Sequence, residues 1–532
     1  MVNNISPFFK QKYLGFVTFL FFLTRVPLLK NHFFHCDDSA GLATYPIFSK
    51  IIGYFSWYSS ELMHYKLFPK TPSFVFENIL SRSFSLFMAF CSLWILLIII
   101  KKLFKNDYLT LFIGVIICCS QMSIIYSIHS GPYGYSTLSI GLMMLYILDI
   151  KNNHLHSRNL NLLIICLILC PFIDVFSIFI IPVFLIIILL KFESGKFTLN
   201  IGKKNLIVSL GLVFSCFFVI LFHIIPLKKA FNRPLATHWN KGINNQYVIH
   251  RDSIYDLILE PLETSWFYIK NLMLVFENNL SPMDCFNIHL ENTVAIVVSL
   301  FALPILFTGA FKLKKIDFKL LLFLILSLVF FFFLIYLNIL ALSPTRHNLW
   351  LNATFIILIA AALHKLNKKI IILISIAIGF VTAITYISFF KNREAKISYS
   401  YLKKLESKCQ IDYFIDYTIY SKEWFSSSQN ISKLFINKNL RAFKESSKST
   451  DSILVFCLIN HRPIDNLRNT SSIKKLINLN YVVDMNNIKK KILGEKSLYE
   501  KYVFSDTEFG RSKFCSNGTN GIFMKIIEVN IK

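Results

Sequence analysis

Charged residues are scarce in this sequence. They make up 16% of its 532 residues, whereas about a quarter of a typical soluble domain is charged. Apolar residues take their place, at 55% of the chain with 54 phenylalanines, and the mean hydropathy is +0.54. This composition excludes an ordinary soluble domain and predicts a polytopic membrane protein.

Acidic residues are the scarcer charged class, because 30 Asp and Glu stand against 56 Lys and Arg, a formal net charge of +26. In a soluble protein this charge would indicate nucleic-acid binding. No nucleic-acid-binding motif is present, and basic residues of membrane proteins mark cytoplasmic loops and face anionic lipid. We therefore expect membrane lipid, and no nucleic acid, as a partner.

Metal-binding cysteine motifs are also missing. The eleven cysteines form no CxxC pair and show no zinc spacing, so the sequence predicts no structural zinc site. Several cysteines lie inside apolar runs. Five others fall in segments that we expect outside the membrane, where one disulfide could form between partners that the sequence does not fix: Cys36, Cys285, Cys409, Cys457 and Cys515.

The chain contains about eleven apolar runs that could cross a bilayer, some of them shorter than the usual 20 or so residues. The first lacks a small-residue cleavage site and is interpreted as an uncleaved span. Basic clusters follow every second run, beginning with 101–105 and ending with 364–369. Because Lys and Arg concentrate in cytoplasmic loops, this alternation predicts a cytoplasmic N-terminus and an outer C-terminus. The predicted spans are 12–29, 83–100, 108–127, 133–150, 159–173, 175–190, 206–226, 293–311, 319–341, 350–364 and 370–390.

The fifth and sixth runs form one continuous apolar stretch that is too long for one span and short for two. Pro171 and Asp174 interrupt it, and the basic residues Arg158 and Lys191 mark its two ends. We expect a tight hairpin with its tip on the outer side. Asp174 at the tip would either bind a substrate or simply be hydrated.

We predict an α-helical polytopic membrane domain over 1–390 and a small α/β extracytoplasmic domain over 391–532, where short apolar runs alternate with lysine-rich segments. Two long outer loops, 30–82 and 227–292, belong to the membrane domain. The first contains YPIFSKIIGYFSWYSSELMHY, whose mixture of aromatic, apolar and polar residues is typical of a helix lying on the membrane surface. The chain is rich in Lys, Ile, Asn and Phe, which favours a bacterial origin. We therefore expect the protein to lie in a bacterial inner membrane.

An acidic pair follows the first span in HFFHCDDSAG. A carboxylate of Asp37 or Asp38 near the low-dielectric interface could have a raised pKa and act as a general base. Together with His35, the pair could also bind a divalent metal. A solvated turn, or a cap for a helix that starts near Ser39, would use the same residues, so the residues alone leave these interpretations open.

Other polar residues with chemical potential lie at the predicted outer ends of spans. The turn YSIHSGPYGY presents His129 and Tyr133, and the turn SPTRHNLW presents Arg346 and His347. Arginine is a natural partner of phosphate, but at a membrane interface it is also a common anchor. Arg82, at the outer entrance of the second span, allows the same two interpretations.

The order of these features resembles the GT-C superfamily of membrane glycosyltransferases, and most of all its bacterial members related to protein mannosyltransferases and aminoarabinose transferases. The likeness rests on the acidic pair in HCDDSAG, the Arg-led second span in ENILSRSFSLFMAF, the turn in SIIYSIHSGPYGYSTLSI and the late outer turn in SPTRHNLWLNATF. It covers about 1–190 well and 340–365 loosely. His129 and Gly131 stand where members often have an acidic residue and an arginine, and the usual His-Pro-Pro segment of the first loop is absent.

This resemblance implies a reaction. The donor would be a sugar on a polyprenyl phosphate, which agrees with the lack of a glycine-rich phosphate loop, and the acceptor would be a lipid, glycan or protein on the outer side. Asp37 would be the general base of an inverting transfer, and Asp38 would orient the acceptor or bind a metal. Arg346, with His347 or His129, would stabilise the departing lipid phosphate. Neither the sugar, nor the acceptor, nor a need for metal is fixed.

Two other classes of protein compete with the enzyme. A transporter or flippase of lipid-linked glycans should carry charges or Gly/Pro breaks at mid-membrane depth, whereas these spans are nearly free of charge and their polar groups gather at the outer rim. A non-catalytic envelope protein would use the C-terminal domain as a binding module.

Overall fold

The computed structural model is predominantly helical. Apart from isolated positions around 55–67 and 339–342, the residues that it describes are 12–29, 73–128, 136–152, 157–174, 176–193, 196–199, 202–224, 261–280, 291–337, 348–391, 413–416, 453–460 and 523–530.

Helices occur at every one of the predicted spans. In chain order they are α1 Lys12–Leu29, α2 Ser73–Phe104, α3 Asp107–Cys119, α4 Gln121–Ser127, α5 Ser136–Asn152, α6 Ser157–Ile173, α7 Ser177–Leu189, α8 Lys203–Val219, α9 Pro261–Leu280, α10 Glu291–Ile316, α11 Phe318–Tyr336, α12 Leu351–Leu363 and α13 Lys368–Lys391. A single π-helical turn, Ile220–Ile224, extends α8.

Four of these helices are long and apolar enough to cross a membrane, namely those over Arg82–Phe104, Lys203–Phe222, Ile296–Ile316 and Phe318–Tyr336. Six shorter helices are apolar as well. Such a set is compatible with an integral membrane protein, whereas the predicted total of eleven spans stays a prediction.

Two features of the helices were not expected. The third predicted span is two helices, because α3 ends at Cys119 and α4 begins at Gln121. The segment between α7 and α8 forms an antiparallel hairpin of β1 (Leu190–Glu193) and β2 (Lys196–Leu199). The predicted break at the fifth and sixth spans does occur, between Ile173 and Ser177.

Side-chain caps fix two of the helix starts. Asn106 accepts a hydrogen bond from the N–H of Leu109 at 3.1 Å before α3, and Asp317 accepts one from Leu320 at 2.9 Å before α11. Both caps satisfy backbone donors that have no partner inside the helix. Each therefore defines where an apolar helix begins.

Helix packing depends on glycine at a few close approaches. At Gly309, an added Cβ would overlap the carbonyl oxygen of Leu358, so α10 and α12 meet backbone to backbone. At Gly114, a Cβ would lie 2.8 Å from the side chain of Val17, which brings α3 close to α1. Small residues also let helices approach closely in other membrane proteins. In lipid the close packing, rather than the hydrophobic effect, stabilises the helix pair.

Polar contacts join several lysine-bearing helix ends at one end of the bundle, which we call the basic end. Tyr13 donates to Asp107 at 2.8 Å, and Lys101 pairs with the same carboxylate. Asn106 donates to the carbonyl of His364 at 3.2 Å. In addition, Lys312 donates to the carbonyl of Ala362 at 2.6 Å. Three of the basic clusters found in the sequence, at 101–105, 312–315 and 364–369, therefore lie together.

A second sheet occurs near the C-terminus. Its strands are β3 Tyr413–Asp416, β4 Ile453–Asn460 and β5 Phe523–Asn530, with β3 parallel to β4 and β4 antiparallel to β5. These strands coincide with three of the apolar runs of the predicted α/β domain. The domain itself, and its boundary at 391, stay predictions.

Candidate functional site

Buried polar side chains gather at the end of the bundle opposite the basic end. Arg25 lies twelve residues beyond Tyr13 in α1, which is about 18 Å along the helix. Arg82 lies nineteen residues before Lys101 in α2, or about 28 Å. We call this group the polar belt; its members are Arg25, Arg82, Ser120, Ser123, Ser127, Thr137, Asn279 and Asn348.

Arg25 is the best-connected member of the belt. Its side chain is completely buried, and its guanidinium group lies 4.0 Å over the ring of Phe21. Nε donates to Ser127 at 2.8 Å and Nη2 donates to Ser123 at 2.9 Å, both on α4. Nη1 also donates to Thr24 at 2.7 Å. Arg25 thus joins α1 to α4 by charge-assisted hydrogen bonds.

Arg25 also accounts for the break between α3 and α4. Its Nη2 donates to the carbonyl of Ile117 at 3.2 Å, and its Nη1 donates to that of Cys118 at 3.1 Å. Both carbonyls belong to the last turn of α3. The helix macrodipole gives this end a partial negative charge, which a cation stabilises. The guanidinium group therefore caps α3, and the chain turns at Ser120 instead of continuing as one helix.

The belt continues from this turn to two other helices. The hydroxyl of Ser120 donates to the carbonyl of Asn279, at the end of α9. The side-chain amide of Asn279 donates to the carbonyl of Asn348 at 3.4 Å. Next along the chain, the carbonyl of Leu349 accepts from Thr137 of α5 at 3.4 Å. Hydrogen bonds thus connect the belt-side ends of α1, α3, α4, α5, α9 and α12.

Arg82 connects α2 to the same region. Its Nη1 donates to the carbonyl of Leu29 at 3.3 Å, at the end of α1, and the side chain is completely buried. Both interpretations of Arg82 from the sequence, phosphate partner and membrane anchor, stay predictions. Arg82 is one of two sequence-predicted site residues that the structure describes.

The other predicted site residues lie outside the described residues, but one end of each of their segments lies at the belt. The segment with the acidic pair follows Leu29, the turn with His129 begins after Ile128, and the late turn with Arg346 ends before Asn348. Leu29 and Asn348 take part in belt hydrogen bonds, and Ile128 follows Ser127 directly. The predicted residues concerned are His35, Asp37, Asp38, His129, Tyr133, Arg346 and His347.

Asp174, the second described candidate, lies in the turn between α6 and α7. Its Oδ1 accepts the N–H of Phe176 at 3.0 Å, whereas its Oδ2 is buried without a hydrogen-bond partner among the described residues. Burial raises the pKa of Asp174 to about 7, against the opposing effect of the Phe176 N–H and of the neighbouring Ser139 hydroxyl. Ser139 is two residues from Thr137, so Asp174 lies on the belt side of the bundle.

An apolar crevice lies beside this turn. Its enclosed volume is about 10 Å³, which is about the space that one water molecule needs. The hydroxyl of Ser327 in its wall is buried and has no partner among the described residues. Trp350, against which Phe331 packs edge to face at 4.5 Å, connects the crevice to the belt. Its walls are formed by Phe176, Phe179, Ile180, Ser327, Phe330, Phe331, Leu334, Leu340 and Trp350.

A metal site is not evident in the part of the chain that the structure describes, where no three His, Cys, Asp or Glu side chains come together. The metal ligands considered from the sequence, Asp37, Asp38 and His35, lie outside that part. The six cysteines described in the structure are free. Whether the chain binds a metal, and whether it forms a disulfide, therefore stays open.

No protein-family model, curated protein or solved structure matches the chain. The case for a function thus depends on the residues of the belt and on the segments that it joins.

Proposed function

We propose that the chain is a membrane glycosyltransferase that transfers a sugar from a polyprenyl-phosphate donor to a lipid, glycan or protein acceptor outside the membrane. One observation carries the proposal. The polar belt joins one end of each of the three segments that contain the acidic pair, the His129 turn and the Arg346 turn. A base, a hydroxyl acceptor and a phosphate must meet within a few ångströms for such a transfer. The reaction therefore requires that these segments be held close to one another.

The position of the belt suits an enzyme whose donor is a lipid. Under the positive-inside rule the basic end faces the cytoplasm, which places the belt on the outer side. The belt lies about 18–28 Å from the basic end along α1 and α2, and a hydrocarbon core is about 30 Å thick. By this measure Arg82 would lie near the outer boundary of the hydrocarbon, where the phosphate of a polyprenyl phosphate is found, whereas Arg25 would lie a few ångströms beyond its middle.

The roles of the residues follow from their chemistry. Asp37 takes the proton of the acceptor hydroxyl while the hydroxyl oxygen attacks the anomeric carbon from the face opposite the phosphate. Asp38 orients the acceptor or binds a metal. The bond to the phosphate breaks, and Arg346, with His347 or His129, stabilises the lipid phosphate that leaves. Tyr133 and Arg82 are assigned to the same site, Tyr133 by its place in the sequence and Arg82 through its bond to the end of α1.

The crevice offers the same donor an apolar surface, and its enclosed space of about 10 Å³ would have to widen before an isoprenoid chain could enter. Its walls are almost entirely aromatic and aliphatic, and the buried carboxyl group of Asp174 lies beside it, hydrogen-bonded to the N–H of its wall residue Phe176. A ligand with an apolar chain and a hydroxyl-bearing head could contact both. Asp174 would then bind the sugar rather than a water molecule.

A transporter of lipid-linked glycans is a second candidate, and buried charge favours it. Arg25 lies inside an apolar helix and Asp174 lies in a helix break, as charged residues of transporters often do. Asp174 lies at the belt end, however, and Arg25, which lies about 18 Å from the basic end along α1, is held by hydrogen bonds to the end of α3 and to α4. This placement fits chemistry at one membrane surface better than passage through the bilayer.

The test is donor turnover by purified protein in lipid vesicles, with a panel of polyprenyl-phosphate sugars. Wild type is compared with Asp37→Asn, Asp38→Asn and, as a matched control, Glu263→Gln at an exposed position of α9. We expect wild type and the control to consume one donor and Asp37→Asn to lose at least a hundredfold in rate, the size of effect of a general base.

Each other outcome has a definite meaning. Equal rates for wild type and Asp37→Asn would exclude Asp37 as the base. Loss only in Asp38→Asn would assign that role to its neighbour. If folded protein consumed no donor but moved a fluorescent lipid-linked glycan between leaflets, the transporter would replace the enzyme.

A further inference from the structure

Helix α9 (Pro261–Leu280) crosses the belt end of the bundle instead of running through it. Near its start, the hydroxyl of Tyr268 donates to the carbonyl of Phe332 at 3.4 Å. Near its end, Asn279 bonds to Asn348. Phe332 is adjacent to Phe331, whose ring packs on Trp350 at the belt, so both contacts lie at the same end although they are about 16 Å apart along α9.

The composition of α9 agrees with a helix outside the hydrocarbon core. Its twenty residues include Glu263, Lys270, Glu277 and three asparagines. It is not among the helices that are apolar enough to cross a membrane. Buried ionisable groups are costly at mid-membrane depth, whereas they are normal for a helix that lies in the interface.

The two halves of α9 differ in exposure. Met273 and Val275, in the second half, are buried against the bundle. In the first half, Leu262 is 84% exposed, Trp266 39% and Ile269 37%. Their spacing of four and three residues places the three side chains on one face of the helix.

We propose that this face, which we call the apolar stripe (Leu262, Trp266 and Ile269), inserts into the boundary between head groups and acyl chains of the lipid leaflet at the belt end. Tryptophan is enriched at this depth because its ring is apolar and its N–H is polar. Helix α10, against which α9 packs, also carries exposed apolar side chains, Leu300 and Phe301. The occupant of the stripe is lipid rather than another protein.

This inference does not depend on the proposed function. A transporter or a binding protein with the same helix would have the same contact with lipid. Its consequence for an enzyme is that Asn279, a belt residue, lies at the end of a helix anchored in the leaflet from which a lipid substrate arrives.

The test is quenching of tryptophan fluorescence by brominated phosphatidylcholine in vesicles that contain the full chain. The chain has six tryptophans, so the Trp266 signal is the difference between wild type and Trp266→Phe. Trp350, which is buried among protein side chains, gives the matched control through Trp350→Phe.

We expect the Trp266 signal to fall at least twofold with bromine close to the head groups and less with bromine near the chain ends, whereas the Trp350 signal changes little. Stronger quenching by the deep bromine would show that α9 lies within the hydrocarbon and would overturn the proposal. An unquenched Trp266 signal would overturn it too, because protein rather than lipid would then cover the stripe.

Discussion

Replacement of Arg25 by glutamine should destabilise the folded protein strongly. The guanidinium group is surrounded by six acceptors, on α1, α3 and α4. Glutamine is too short to reach the α3 carbonyls and retains only two side-chain N–H donors. The last turn of α3 would lose its cap, and two serine hydroxyls would lose their donor.

The size of the loss follows from the number of N–H donors, which falls from five in arginine to two in glutamine. Hydrogen bonds between membrane helices contribute about 0.6 kcal/mol each on average, so the loss of three donors gives about 2 kcal/mol. Charge-assisted bonds contribute about 1.5 kcal/mol or more, which would raise the total to about 5 kcal/mol. We therefore expect the free energy of unfolding to fall by about 2–5 kcal/mol. Arg25→Lys should lie between wild type and glutamine, because lysine keeps the charge but lacks the planar fork.

The assay is reversible unfolding in mixed micelles with increasing SDS, followed by circular dichroism. Lys314→Gln at an exposed position near the basic end provides the control for loss of one positive charge and should change the unfolding midpoint by less than the equivalent of about 0.5 kcal/mol. If Arg25→Gln had the same unfolding midpoint as the control, the contacts of Arg25 would not stabilise the bundle. The explanation of the break at Ser120 would then be wrong.

Two further predictions concern packing and pH. Gly309→Ala should force α10 away from Leu358 and lower the free energy of unfolding by about 1–3 kcal/mol. Gly379 has open space around it, so Gly379→Ala should be neutral or slightly stabilising in the same SDS titration. Equal effects of the two substitutions would contradict the backbone contact. Because the pKa of Asp174 is raised to about 7, the folded state holds this proton more tightly than the unfolded state. The free energy of unfolding should therefore fall as pH rises from 5 towards 7, by up to about 1.4 kcal/mol per pH unit, and level off above 7. The variant Asp174→Asn should lack this pH dependence. If the variant kept it, the pH dependence would belong to another group.

Apolar runs and basic clusters predicted the positions of most helices. A helix occurs at each predicted span, because a run of apolar residues between Lys-rich ends has few other stable structures in lipid, but α9 lies in a predicted outer loop and was missed. The break at Ser120 could not be predicted, since it depends on a side chain from another helix. Arg25 was itself a visible signal, a charge within an apolar run, but its partners are almost a hundred residues away in the chain.

The candidate site was predictable only in part, for a related reason. Loop residues such as Asp37 and Arg346 can be recognised by type and position, because carboxylates and arginines are rare in this chain. Asn279 and Asn348 carry no such signal, since asparagine is common here and their role depends on backbone carbonyls of distant segments. The connection between the segments is therefore visible in the structure but not in the sequence.

The two buried arginines of the belt have different chemical capacities. Each of the three nitrogens of Arg25 donates to acceptors within the protein, and a phosphate could bind there only if the caps of α3 and α4 were broken. Arg25 is thus a structural cation, fixed where the macrodipole of α3 ends. Arg82 contacts the end of α1, from which the acidic segment continues. Under the proposed function the phosphate is therefore assigned to the arginine of the late turn, while Arg25 keeps the ends of α3 and α4 in place.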